Sequence, residues 1–351
     1  MEFTDTLLQW YHAWKRDLPW RETGDPYRIW LSEIILQQTR IGQGLPYYEK
    51  FVQAYPDIGS LAQASEEDVL KLWQGLGYYS RARNMHKAAQ VVMQLFGGVF
   101  PNTRETILGL PGIGEYTAAA IGSIAFRLPD PVVDGNVLRF FCRYFGIHDP
   151  VSSEKTRKEV RARAGKLISL SDPGAFNQAM MEFGALQCVP VAPVCSQCPF
   201  RQSCYASLHG LTNVLPVRSV TIKKRLRYFN YLVIRSNDGL GLIVKKRDTR
   251  DIWRGLYDFP LIETEEPVSD EALKSTSGWE VIEKMGPCSG VHRSETFRHM
   301  LTHQVILATF FELRVHFSSS LPDGWRWAAD FKKLAIPRLI EKYLRQNQRF
   351  F

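Results

Sequence analysis

An all-α domain followed by a smaller α+β domain is the architecture that the sequence predicts, and three observations carry it. The chain is 351 residues long, about two domains at roughly 100–200 residues each. From Met1 to about Leu186 the apolar positions fall mostly at helical spacing, whereas from Phe229 onward they form short β-branched runs broken by turn residues. The composition, 45% hydrophobic and 23% charged with 25 Gly and 19 Pro, is that of an ordinary globular protein and excludes disordered, collagenous and small disulfide-framework chains.

The helical portion opens on Phe3, Leu7, Trp10, Tyr11 and Trp14, which lie at i, i+4, i+7, i+8 and i+11 and form the apolar stripe of one helix. Breaks at Gly24-Asp25-Pro26, Gly97-Gly98, Leu128-Pro129-Asp130-Pro131 and Asp172-Pro173-Gly174 divide the rest of this portion into further helices. Leu215-Pro216-Val217 then leads into a run to Arg227 with five basic residues and no acidic one. Residues 215–228 read as a basic interdomain linker, lying near phosphate or simply solvated. Beyond it, Phe229–Arg235 and Leu240–Lys246 flank the hairpin signal Ser236-Asn237-Asp238-Gly239. Val305–Val315 reads as a further strand, and Glu271–Ser275 and Pro337–Arg345 as short helices. The predicted domains are therefore 1–214 and 229–351.

Lys and Arg number 44 against 36 Asp and Glu, a formal charge of +8. Residues 1–228 hold 26 basic and 20 acidic side chains against 18 and 16 in the remainder. The first portion is thus the better candidate for contact with a polyanion such as nucleic acid. The start, Met1-Glu2-Phe3-Thr4-Asp5, has no basic segment leading into an apolar run, and no stretch reaches about 18 uninterrupted apolar residues. The expectation is a soluble, cytoplasmic protein with no membrane partner.

Four of the six cysteines, Cys188, Cys195, Cys198 and Cys204, fall in one C-x6-C-x2-C-x5-C stretch, while Cys142 and Cys288 stand alone as small buried residues. Thiols so spaced suggest a metal or cluster site. Zinc sites more often use two separated pairs, so an iron–sulfur cluster is favoured over zinc.

Three constellations carry possible chemistry. In Leu110-Pro111-Gly112-Ile113-Gly114-Glu115-Tyr116-Thr117-Ala118, Gly112 and Gly114 form a tight turn ahead of a helix-forming run. Backbone N–H groups at such a turn can hold a phosphate, although an ordinary helix–helix connection has the same appearance. Asp134 stands among apolar residues in Val132-Val133-Asp134-Gly135-Asn136-Val137, where its charge must be paired or used, unless it caps the next helix. Glu33 lies in Ile29-Trp30-Leu31-Ser32-Glu33-Ile34-Ile35-Leu36. If it faces inward, desolvation raises its pKa and suits it to donate a proton near neutral pH; if it faces out, it is an ordinary helix residue. A protonated Glu33 with an ionised Asp134 would form the pair needed to cleave a bond to a sugar, one protonating the leaving group and the other stabilising an oxocarbenium-like centre.

The glycine hairpin, an aspartate about twenty residues later and the cysteine loop, in this order, resemble the helix-hairpin-helix base-excision glycosylases related to endonuclease III. Within that superfamily the chain resembles the MutY branch, the adenine DNA glycosylases that act on adenine opposite 8-oxoguanine. The likeness covers nearly the whole chain and includes Leu18-Pro19-Trp20-Arg21, Ser32-Glu33, Gln37-Gln38-Thr39 and Gly75-Leu76-Gly77-Tyr78-Tyr79-Ser80-Arg81-Ala82-Arg83-Asn84.

The resemblance implies that Glu33 protonates a flipped adenine at N7 and then helps to activate water. It implies that Asp134 stabilises the cationic sugar, electrostatically or by a transient covalent bond, with Asn136 and Tyr116 positioning the groups around it. Bifunctional relatives carry a nucleophilic lysine where this chain has Tyr116, so base removal without an efficient lyase step is expected. Arg16, Trp20, Arg21, Leu36 and Gln178 match pocket positions, while Gln38, Thr39, Leu76 and Tyr78 match elements that fill the gap and touch the opposite base.

The four cysteines would hold a [4Fe-4S] cluster. Their loop has no basic residue between Val189 and Val194, which leaves Arg201 as its phosphate ligand. Lys245-Lys246-Arg247-Asp248 and Leu256-Tyr257-Asp258-Phe259-Pro260 resemble a Nudix-like domain without the R-E-x-x-E-E helix that binds Mg²⁺ in Nudix hydrolases. Leu301-Thr302-His303 stands where the family has Phe-Ser-His, so Thr302 and His303 are the implied contacts to the oxidised guanine. The implied protein is a monomer acting on double-stranded DNA with adenine opposite 8-oxoguanine or G, nucleoid-associated if bacterial. A same-fold glycosylase for another base, such as T opposite G, and a catalytically silent damage-binding protein are the competing readings.

Overall fold

The computed structural model describes residues 2–218, 224–236, 241–248, 250–316 and 320–347. It divides into two units, one of Met1–Gln63 with Asn84–Val220 and one of Ala64–Arg83 with Thr221–Phe351. The segment 64–83, expected in the helical domain, is thus grouped with the C-terminal sheet.

Helices run in the order α1 Phe3–Trp14, α2 Pro26–Leu36, α3 Ile41–Ala54, α4 Ile58–Gln63, α5 Glu66–Leu72, α6 Ser80–Phe96, α7 Arg104–Leu108, α8 Glu115–Phe126, α9 Gly135–Phe145, α10 Glu154–Leu167, α11 Pro173–Leu186 and α12 Tyr205–Leu208. The starts follow local chemistry, since the side chains of Asp25, Thr103, Asp134, Ser153 and Asp172 each accept a hydrogen bond from a first-turn N–H. Of the α1 stripe, Leu7 and Tyr11 enter a core built on Phe140, Phe176, Phe183 and Phe200. Trp14 does not, because the stripe has run past its neighbours by the last turn and the ring is 67% exposed.

Two buried contacts fix the backbone around Asp134. Asn177 accepts from the Val132 N–H at 3.1 Å and donates to Ser123 Oγ and to Asp130 O, both at 2.8 Å, tying down the loop before α9. Gly184 lets α11 approach α9 so closely that a Cβ there would lie 2.7 Å from Asn136 Cβ and 2.7 Å from Asn136 O.

The second unit is an eight-stranded sheet with helices on both faces. Its strands are β1 Arg225–Ser236, β2 Leu242–Lys246, β3 Tyr257–Asp258, β4 Leu261–Thr264, β5 Cys288–Arg293, β6 Phe297–Met300, β7 Gln304–Val315 and β8 Trp325–Ala328. Three further helices lie in this part of the chain, α13 Asp270–Lys274, α14 Ser277–Glu283 and α15 Arg338–Gln346. The spine is the parallel pairing of β1 with β7, in register from Arg225 with Gln304 to Ser236 with Val315. Strand alternation sends Phe229, Tyr231 and Val233 into the core that contains Ile340 and Tyr343 of α15, and Leu232 and Ile234 into the core that contains Trp279 and Ile282 of α14.

Several expectations need correction. Residues 215–217 are not a tether: Leu215 is buried, Arg143 Nε donates to its carbonyl at 2.8 Å, and the Val151 N–H donates to Val217 O. The strand β1 begins at Arg225 rather than Phe229, and Arg227 turns inward to pair with Asp251 at 2.7 Å and Glu263 at 2.6 Å. Its charge is therefore spent on carboxylates of its own unit rather than offered to phosphate. Residues 219–223 of the proposed linker, and Asn237, Asp238 and Gly239 of the hairpin signal, lie outside the described residues. Cys142 is buried, but Cys288 is half-buried on β5. No helix among the described residues is long and apolar enough to cross a membrane.

Replacing Gly184 with alanine is expected to force α11 away from Asn136 and to lower stability by about 1–3 kcal/mol. Thermal unfolding of Gly184→Ala beside the wild type measures this.

Candidate active site

Glu33, near the C-terminal end of α2, is turned inward and buried. It opens on a cleft of about 550 Å³ in the helical unit, which also receives Tyr116, Asp134, Asn136 and Gln178. That volume falls within the roughly 300–1,000 Å³ of small-ligand sites. Burial pushes the Glu33 carboxyl up to about 7. The hydroxyl of Tyr116, donating to its Oε2 at 2.8 Å, works against the shift, and the nearby Asp134 adds to it. Asp134 is both a helix cap and a cleft residue, so the two readings of its sequence position coincide. Its Oδ1 accepts from the Val137 N–H at 2.7 Å and its Oδ2 from Asn136 Nδ2 at 2.8 Å. Burial raises this carboxyl too, against those donors.

One wall is organised by Glu182, a buried carboxylate that sequence reasoning missed. Arg16 reaches it with Nε at 2.8 Å and Nη2 at 2.5 Å, and Arg21 with Nη1 at 2.9 Å and Nη2 at 2.8 Å. Burial alone would raise this carboxyl, but the two guanidinium groups more than reverse it, to about 2. Gln178, one turn earlier, accepts from the Tyr11 hydroxyl at 2.5 Å. Arg16 and Arg21 thus fix the loop that carries Trp20, and they line the cleft together with Trp20, Leu36 and Thr39. The signal for Glu182 was present in the sequence, since it is a lone acid in Ala179-Met180-Met181-Glu182-Phe183, the same pattern that flagged Glu33.

A second missed residue, Arg139, joins the cleft to the cysteine loop. Its Nη2 donates to Asn136 Oδ1 at 3.0 Å and to Gly184 O at 2.6 Å, and its Nε donates to Cys188 O at 2.8 Å. Arg143, one turn on, donates to Val189 O at 2.7 Å and Pro190 O at 3.1 Å, with Nη1 at 3.5 Å from Cys188 Sγ. Cys188, Cys195, Cys198 and Cys204 line one cavity walled by Phe140, Phe183 and Phe200. Burial raises the thiols of Cys188, Cys198 and Cys204, that of Cys198 to about 12. Among the described residues no three His, Cys, Asp or Glu side chains converge as they would on a single metal ion. Four thiols around a shared apolar-walled cavity, with Arg143 beside one sulfur, fit a larger, multi-iron group. Arg201 lines the same cavity and is exposed.

The hairpin turn lies between α7 and α8. Gly112 has φ +78°, and a Cβ there would lie 2.6 Å from Asn84 Cβ, so glycine is required. Gly114 is the N-cap of α8, no side chain caps it, and nothing lies within 4 Å of its Cβ direction. A helix N-terminus beside such open space is a general anion site, although the first turn here carries Glu115. Gln38, also in the helical unit, is exposed with φ +55°.

In the second unit the Tyr78 hydroxyl is hydrogen-bonded to Thr302 Oγ1. Tyr78, Thr302, His303 and Trp253 line a cavity of about 670 Å³. Tyr78 has φ +47° and is half-exposed, whereas Leu76 is buried and does not project.

Residues 31–168 match the family model described as HhH-GPD superfamily base excision DNA repair protein, and residues 230–346 match the NUDIX domain model. The chain is 32% identical to the adenine DNA glycosylase of Buchnera aphidicola subsp. Acyrthosiphon pisum, over 97% of this chain and 96% of the relative. It is 33% identical to the adenine DNA glycosylase of Homo sapiens, over 99% of this chain and 74% of the relative. A solved structure of a thermostable thymine-DNA glycosylase matches 59% of this chain and 95% of its own, with 32% identity and TM-score 0.55. A non-covalent endonuclease III–DNA complex, 21% identical with TM-score 0.51, matches 59% of this chain and 94% of its own and shares the fold.

The Glu33 shift has a consequence for stability. A carboxyl whose folded pKa of about 7 exceeds the ordinary 4.5 destabilises the fold as pH rises between those values, and the full penalty is present above 7. Glu33→Gln is therefore expected to be more stable than wild type at pH 8, by up to about 3 kcal/mol. The gain disappears below pH 4.5, as denaturant titrations at the two pH values will read.

Proposed function

Because the chain belongs to the adenine DNA glycosylases of the helix-hairpin-helix superfamily, we propose that it excises adenine from double-stranded DNA by hydrolysis at the Glu33–Asp134 cleft, reading 8-oxoguanine on the opposite strand. The observation that carries the chemistry is the buried Glu33 carboxyl, raised to about 7 in the same cleft as a firmly held Asp134.

Glu33 is the general acid. Half protonated near neutral pH, it gives its proton to the base and so turns adenine into a good leaving group. Asp134 keeps a fixed orientation through Val137 and Asn136 and stabilises the positive charge that develops on the sugar. Tyr116 holds Glu33 and supplies no amine. No lysine is among the residues lining the cleft, which supports base removal without a Schiff-base step. The open N-terminus of α8 is suited to a backbone phosphate, and the base reaches the cleft by leaving the helix.

The Tyr78–Thr302 pair beside His303 supports reading of the opposite base, with the threonine hydroxyl in the role of the family's serine. The cysteine loop is assigned a [4Fe-4S] cluster, held by Cys188, Cys195, Cys198 and Cys204. Bound there, it would brace the loop that Arg139 and Arg143 grip. We assign the active form as a monomer. A second reading, removal of thymine, is favoured by the matched thymine-DNA glycosylase structure. That match covers 59% of the chain, whereas adenine-specific relatives also cover the second unit.

Three measurements test these assignments. On a duplex with A opposite 8-oxoguanine, Glu33→Gln is expected to slow single-turnover excision by about 10²–10⁴-fold, and Asp134→Asn to abolish it. Faster release of T opposite G by the wild type would establish the second reading instead. The wild-type rate should fall as pH rises through about 7, where Glu33 loses its proton. Tyr116→Phe, which removes a donor that favours the carboxylate, should move that fall to higher pH. Protein purified without oxygen should be brown and contain iron with acid-labile sulfide; colourless, zinc-loaded protein would sink the cluster assignment.

A further inference from the structure

The segment Ala64–Arg83 is grouped with the sheet rather than with the helices that flank it in sequence, and specific contacts hold it there. Glu67 of α5 accepts from Lys246 Nζ and from the Tyr257 hydroxyl, both at 2.7 Å. Lys71 Nζ donates to Leu334 O at 2.9 Å. At the other end, Arg83 Nη1 donates to Arg254 O at 2.6 Å. Between these anchors Gly255, with φ +83°, presses its backbone on α5, and a Cβ there would lie 3.0 Å from Leu70 Cδ1 and 3.4 Å from Glu66 Oε1. This close approach and the anchors at both ends make a built seat for the short stretch that carries Tyr78.

We propose that this seat is a positioning device for recognition of the opposite base, and that Glu67, through Lys246 and Tyr257, sets how well the Tyr78–Thr302 pair distinguishes 8-oxoguanine from guanine. The proposal rests on the reading of that pair given above. Glu67 touches neither Tyr78 nor the cleft residues; it acts by fixing α5, from which the turn at Gly75–Tyr78 departs. Tyr78 stands on a left-handed backbone held by the Trp73 Nε1 bond to Gly77 O at 2.9 Å, so a shift of α5 is passed to the ring rather than absorbed. Glu67 and Lys246 are both near half-exposed, so removing their ion pair leaves the fold intact.

The test is a double-mutant cycle on the full-length chain, with single-turnover excision of adenine opposite 8-oxoguanine and opposite guanine. Glu67→Ala is expected to lower the ratio of the two rates about three- to fivefold, the size of one net hydrogen bond, with the rate opposite guanine unchanged. Lys246→Met, which breaks the same ion pair from the sheet side, should do the same. Thr302→Ala should lower the ratio as well, and the double variant Glu67→Ala/Thr302→Ala should fall no further than Thr302→Ala alone. An unchanged ratio in Glu67→Ala and Lys246→Met, with Thr302→Ala impaired, overturns the proposal and leaves the base-reading role of Thr302 standing. Multiplying effects in the double variant also overturn it, since Glu67 would then act by another route. An unchanged ratio in Thr302→Ala removes the reading itself, and the proposal with it.

Discussion

The helical unit is organised around the fixed geometry of one carboxylate, Asp134. Its two oxygens are held by Val137 and Asn136, Asn136 is held by Arg139, and Arg139 is held by the carbonyl of Cys188. An acid at a helix N-terminus would ordinarily be a cap and nothing more. Here the cap is the first link of a chain of hydrogen bonds that ends in the backbone of the cysteine loop. The loop's order and the cleft's order are therefore one problem. Gly184 makes the chain physically possible, because only a residue without a side chain lets α11 lie against Asn136 and offer its carbonyl to Arg139.

Two buried glutamates in the same unit show how neighbours decide the role of a residue type. Glu182 faces two guanidinium groups and stays charged, with a pKa near 2. Glu33 is raised to about 7 by burial and by the nearby Asp134, with the Tyr116 hydroxyl and Arg21 working against the shift. The first is a bolt that fixes the entry loop, and the second is poised to exchange a proton. Their environments push their pKa values apart, which is how acid and structural roles separate in a cleft.

The sequence was most legible where a pattern had few physical solutions. The period of the apolar residues gave the helices, and the β-branched runs gave β1 and β7, the two twelve-residue strands of the sheet, together with the shorter β2. The strands β3, β4, β5, β6 and β8 span two to six residues, too short to establish an alternation. Glu33 and Asp134 were legible because a charge amid apolar neighbours demands an explanation, and Glu182 should have been for the same reason. Arg139 was not, because its partners are carbonyl oxygens, which every residue has and no sequence displays. The placement of residues 64–83 was invisible for a related reason. Its anchors, Lys246, Tyr257 and Arg254, are distant in sequence and of common type.

That placement also bears on the order in which the molecule can be made. Tyr78 leaves the ribosome well before Thr302, separated by more than two hundred residues; at about 5–20 residues per second the interval is roughly 10–45 s. The helical unit, ending at Val220, is fully made before the partners of α5 at Lys246, Tyr257 and Leu334 exist. The long parallel pairing of β1 with β7 closes late for the same reason, since β7 begins at Gln304, far along the chain from the end of β1 at Ser236. A nascent chain thus completes the cleft of Glu33 and Asp134 before the Tyr78–Thr302 pair can form.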